Sequence, residues 1–148
     1  MKTILALLVL AFSVSAFAVK QKVSIYYSGN EGWGRTFYAC DYAEYQTETV
    51  LKLFGATQIN VRCSGGIVSY GMPTPISLFA TFETPTLMGN EVEVIENLSG
   101  DSSNPACGLN TAIVRDLLRV FPNVKALKKN DGCGFHTSNY SYTFSILK

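Results

Sequence analysis

Two cysteines, Cys40 and Cys107, each stand fourteen residues before a phenylalanine, Phe54 and Phe121. Val50-Leu51-Lys52-Leu53 leads into the first phenylalanine and Leu117-Leu118-Arg119-Val120 into the second. The order apolar, apolar, basic, apolar, Phe thus recurs at an offset of 67. An apolar-periodic stretch and a second cysteine, Cys63 or Cys133, follow each run. A recurrence at fixed offset, led by cysteines, is the pattern of a chain built from two related units, each stapled internally. It constrains architecture far more than it constrains function.

The leader sets the expected compartment. Residues 1–18 carry one charge, Lys2, then an apolar run from Ile4 to Phe12, and close on Ala16-Phe17-Ala18. That is the plan of a secretory signal peptide, with an apolar run too short to cross a bilayer. Cleavage is expected after Ala18, leaving residues 19–148 as one exported domain, periplasmic or secreted. No cysteine sits at the junction to take a lipid, and no later apolar run approaches the roughly 18 residues of a membrane span. Two glycosylation sequons, Asn97-Leu98-Ser99 and Asn139-Tyr140-Ser141, matter only in a eukaryotic secretory pathway.

Charge narrows the partner class. Of 12 basic and 11 acidic side chains, only Lys2 falls in the leader, so the mature chain is balanced. A nucleic-acid binder is expected to carry a basic stripe, and Lys128-Lys129 is too small to be one.

Four cysteines in an oxidising compartment imply two disulfides. Three pairings are possible. In a helix followed by an antiparallel strand, the start of the helix lies near the end of the strand. Cys40 opens a helix and Cys63 closes the next strand; Cys107 and Cys133 stand in the same relation. This favours Cys40–Cys63 and Cys107–Cys133 over a rival set, Cys40–Cys107 with Cys63–Cys133. Each favoured bond closes a loop of about 25 residues, worth about 3 kcal/mol in the chain-entropy view.

The periodicities place the elements. Val23, Ile25 and Tyr27 alternate with polar neighbours as a half-buried strand. A glycine-rich loop, Gly29 to Arg35 (GNEGWGR), follows. Asp41 and Glu44 resemble a capping box opening a helix that stops at Gly55. Its stripe is Ala43, Val50, Leu51 and Phe54. Ile59, Val61 and Cys63 mark a second strand; Ile76, Leu78, Ala80 and Phe82 mark a third. The second half repeats the order. Val92 and Val94 begin it, and Asn104-Pro105 is placed to start a helix carrying Ala106, Leu109, Ile113, Leu117 and Phe121. Pro122 ends that helix. Val124 to Leu127 and Tyr140, Tyr142, Phe144 and Ile146 complete it as strands. Two βαββ units, about 22–84 and 90–148, meet near Glu83 to Asn90. The simplest architecture is α+β: one mainly antiparallel sheet with two helices on one face, related to the ferredoxin-like arrangement with an added strand.

Catalytic chemistry is thinly represented. His136 is the only histidine. A small secreted hydrolase using it with Asp131 or a nearby serine is the alternative reading, but no G-x-S-x-G elbow is present. Paired cysteines leave no thiol for Cys–His catalysis. Metal ligation is not expected either: the cysteines lack C-x-x-C spacing, and Asn97 to Asn104 (NLSGDSSN) has one carboxylate, Asp101, and reads as a solvated turn. No phosphate loop and no cofactor motif occurs.

The feature with most bearing on function is aromatic. Tyr26, Trp33, Phe37, Tyr38, Tyr42 and Tyr45 lie between the first strand and the first helix. Trp33 sits between two glycines with Arg35 close by. Tyr and Trp beside Arg compose recognition surfaces; the competing role for these rings is to cover the open end of the sheet. The expectation is a small exported, non-enzymatic binding or envelope-associated module. Trp33, Arg35 and Tyr38 would meet a partner protein, a peptide or an envelope glycan.

Overall fold

The computed structural model describes residues 18–31, 34–68, 70–100, 106–130, 133 and 140–148. The first half runs β1 (Val19–Tyr27), β2 (Asn30–Glu31), β3 (Gly34–Arg35), α1 (Cys40–Leu53), β4 (Thr57–Gly66) and β5 (Thr74–Thr84). The second runs β6 (Glu93–Gly100), α2 (Cys107–Leu117), β7 (Val124–Asn130) and β8 (Tyr140–Leu147). The fold is α+β, and hydrogen bonds divide the long strands into two antiparallel sheets of three, not one continuous sheet.

The sheets have the same plan. Their orders are β1-β5-β4 and β6-β8-β7, so in each half the last strand inserts between the first two. The central strand is antiparallel to both neighbours. The outer two therefore run parallel to each other, and the helix is the crossover that parallel strands require. Alternation on the central strands sets the core face: Ile76, Leu78, Ala80 and Phe82 on β5, and Tyr140, Tyr142, Phe144 and Ile146 on β8, are all buried.

The C-terminus of α1 is specified locally. Gly55 takes φ 88°, and its N–H donates to the Lys52 carbonyl while Ala56 N–H donates to Leu51. This is a complete Schellman closure, which favours glycine at the left-handed position. The N-terminus departs from expectation. The helix begins at Cys40 behind Ala39, whose side chain makes no cap. Asp41 accepts from Tyr42 N–H, and Glu44 reaches across to accept the Cys63 N–H at 2.8 Å. A long-range strand donor has won the carboxylate from the local box. Helix α2 ends at Leu117, four residues before Phe121; Val120 N–H closes a tighter turn onto Leu117, and Pro122 disfavours helical backbone at Phe121.

Both predicted disulfides are present, Cys40–Cys63 and Cys107–Cys133, with Cα atoms 5.5 and 5.6 Å apart. Each ties the first residue of a helix to the strand side of its own half.

The halves share one core. Helix α1 lies beside β4, α2 lies beside β1, and the helices touch. Phe54 meets Phe121 edge-on at 5.3 Å. Phe54 also packs on Phe144 of the other half at 5.0 Å, and Phe121 on Phe82 at 5.2 Å. Polar links cross the same seam: Asn110 Nδ2 donates to Gln46 Oε1, and Asn123 Nδ2 donates to the Phe54 carbonyl; within the second half Asn110 Nδ2 also donates to the Tyr140 hydroxyl.

Candidate functional site

The candidate site is the loop end of the first half, where β1 hands over to α1 and β4 to β5. Its base is built by backbone. Gly29 is buried at φ 83°, and a Cβ there would lie 2.6 Å from the Phe37 ring. Only glycine fits both constraints. Thr36 N–H donates to the Gly29 carbonyl at 2.7 Å, and the Tyr27 hydroxyl donates to the Thr36 carbonyl at 2.8 Å. Above this closure β2 and β3 form a short antiparallel ladder, Asn30 against Arg35 and Glu31 against Gly34.

The predicted binding residues separate. Arg35 is exposed on β3. Trp33 falls outside the described residues. Tyr38 is only 8 % exposed, stacked on Tyr42 at 5.6 Å and tilted against Tyr27 at 5.7 Å. Its ring is part of the core that supports the loops. Burial comes first among the causes that raise the Tyr42 pKa above the ordinary phenol value. Tyr45 and Tyr26 stay exposed.

A second loop joins this end. Ile67 N–H donates to the Tyr38 carbonyl at 3.0 Å, and Gly66 at φ 77° would place a Cβ 2.4 Å from that same oxygen. The close approach clamps the end of β4 to the chain leading into Cys40. Beyond the clamp Ile67, Val68, Tyr70 and Met72 turn outward, with Tyr70 97 % and Met72 86 % exposed. Four large apolar side chains in six residues is a concentration that isolated surface hydrophobics do not produce. Sequence reasoning passed over this loop. The signal was an apolar run, Ile67-Val68, set after a Gly-Gly turn and before Pro73, where a turn of polar residues is the rule.

Chemistry elsewhere is sparse. All four cysteines are in disulfides. Among the described residues no group of three His, Cys, Asp or Glu side chains could hold a metal ion. His136, Asp131 and Asp101 lie outside the described residues. Asn97 to Ser99, expected in a turn, belong to β6, where Asn97 Oδ1 accepts from the Thr143 hydroxyl. Among the described residues no helix is long and apolar enough to cross a membrane. No family model, curated protein or solved structure matches the chain.

Proposed function

We propose that this chain is an exported, non-enzymatic binding module whose recognition surface is the loop end of its first half. The exposed Ile67-to-Met72 loop carries this reading. Large apolar side chains held in water are unfavourable for a free monomer, and burial of each against a partner is worth on the order of 1.5 to 3 kcal/mol. The loop is anchored at its start: Ile67 N–H donates to the Tyr38 carbonyl, and the Cys40–Cys63 bond ties the chain after Tyr38 to β4. A fixed apolar surface loses less entropy on binding than a floppy one. Arg35, exposed on β3, extends the same surface. The fitting partner is a protein or peptide with a complementary apolar patch.

Export is part of the proposal. Two disulfides are compatible with it, since such bonds persist in oxidising compartments. Material recovered from outside the cytoplasm should begin at Val19 by intact mass; a retained Met1 would contradict removal of the leader.

The deciding comparison uses immobilised mature chain, wild type against Tyr70→Ser with Met72→Ser. Both are exposed, so melting should be unchanged. Capture of the partner from the native envelope or culture fluid should weaken at least about tenfold, the scale of a hot-spot pair. Equal capture by both chains would remove the loop from the interface.

A further inference from the structure

We propose that the outer face of the first sheet is a second binding site, for a carboxylated saccharide chain. This site goes beyond the loop-end reading and does not depend on it.

Register sets the face. Reading across β1, β5 and β4, the outward rows are Ser24–Phe79–Arg62 and Lys22–Thr81–Asn60, with Lys20 opposite Glu83 in the next row. A cleft of about 570 Å³ opens here, lined among others by Lys20, Gln58, Asn60, Arg62, Phe79 and Glu83. That lies within the range of small-ligand sites. The hollow has a local cause. The pairing of β4 with β5 slips between Thr57 and Asn60, leaving one extra residue on β4. Such a bulge bends its strand and re-aims side chains. Gln58, in that bulge, has φ 50°, and among the described residues no other non-glycine has positive φ. Its side chain is exposed, so no burial at this position offsets the unfavourable backbone.

Two properties of the cleft point to a ligand. Phe79 stands on the central strand with 56 % of its surface exposed, while Leu78 and Ala80 on either side of it are buried at 1 % or less. A flat apolar ring is thus presented to solvent amid polar neighbours. Charge is the other property. Lys20 and Arg62 line the cleft with one carboxylate, Glu83, and Lys22 stands beside it on the same face; among the described residues none of the three cations has an ion-pair partner. On a mature chain of balanced charge, this face is locally cationic.

The mixture selects the ligand class. A pyranose has a C–H-lined face that lies flat on an aromatic ring, and hydroxyls that both donate and accept. Gln58, Asn60 and Thr81 supply matching amides and a hydroxyl. A sugar carboxylate meets Arg62 through two parallel N–H donors, or Lys20 as a point charge. Nucleic acid fits less well, because its affinity needs a cation for phosphate after phosphate. An extended acidic peptide would seek a free strand edge, whereas Phe79 lies on β5, whose backbone is paired on both sides.

The test titrates the mature chain with polygalacturonate, in parallel with a neutral glucan, polyglutamate and oligodeoxythymidylate. The expected result is binding to polygalacturonate alone or most tightly, weakened about tenfold by Phe79→Ser and by Arg62→Gln. Both side chains are exposed, so melting should not move. Lys128→Gln, on the second sheet, should leave binding intact. Tighter binding of polyglutamate or oligodeoxythymidylate would overturn the saccharide assignment. So would a loss equal for Lys128→Gln and Arg62→Gln, which would mark diffuse charge attraction, or no binding of polygalacturonate.

Discussion

Phe54 and Phe121, 67 positions apart in the chain, touch each other edge to face with 5.3 Å between ring centroids. Each also packs on a phenylalanine of the opposite half, Phe54 on Phe144 and Phe121 on Phe82. Each half thus lends the other a ring, one contact edge-on and the other stacked. Neither half encloses its phenylalanine alone.

The first prediction concerns that pair. Phe54→Ala and Phe121→Ala should each cost about 3 to 5 kcal/mol, because both rings are fully buried. The double variant should cost less than the sum by about 0.5 to 1.5 kcal/mol, the coupling of an aromatic contact. Denaturant unfolding of the four chains measures it. Strict additivity would show that the rings are stabilised independently.

The staples should contribute separately. Replacing Cys40 and Cys63 by alanine, or Cys107 and Cys133, should cost about 2 to 5 kcal/mol per pair. The two bonds close loops of similar span, with separations of 23 and 26 residues, so the losses should be similar. A loss confined to one pair would show that the halves differ in their need for the constraint.

Alkaline pH should destabilise the seam between the halves. Burial, with lesser contributions from the Tyr42 and Tyr142 phenols, pushes the Tyr140 pKa up to about 12 from an ordinary 10.0. The folded protein thus holds a neutral phenol that the unfolded chain ionises earlier. This contribution is whole below about pH 10 and is lost as pH rises towards about 12. Tyr140→Phe should start lower, because Asn110 Nδ2 loses one of its two acceptors, and then decline less steeply across that window. Parallel decline of both chains would assign the alkaline loss to other groups.

Much of the framework was legible because its causes are local. Period-two alternation placed β5 and β8, and Gly55 announced the end of α1. The disulfides followed from one geometric fact about a helix and the strand after it. What escaped notice depends on distant partners. Splitting of the strands into two sheets is decided by which edges pair. Glu44 left its capping role because β4 brought the Cys63 N–H within reach. Tyr38 looked available in a loop rich in rings, but Tyr27 and Tyr42 enclose it. The Gln58 bulge has no glycine to mark it. The Ile67-to-Met72 loop reads as ordinary apolar chain until the clamp at Tyr38 turns it outward.

Trp33 is proposed for the recognition surface, and its substitution separates support from contact. Trp33→Ala should leave thermal stability nearly unchanged and weaken partner capture by about 1 to 2 kcal/mol. A sharp fall in melting temperature with capture intact would make the ring part of the core.

The most direct test is amide hydrogen exchange of the mature chain, free and bound to its captured partner. The loop-end account predicts new protection over residues 29–37 and 66–73, with β6, β7 and β8 unchanged. Protection confined to the second half, around 131–139, with the first-half loops exchanging as before, would contradict it.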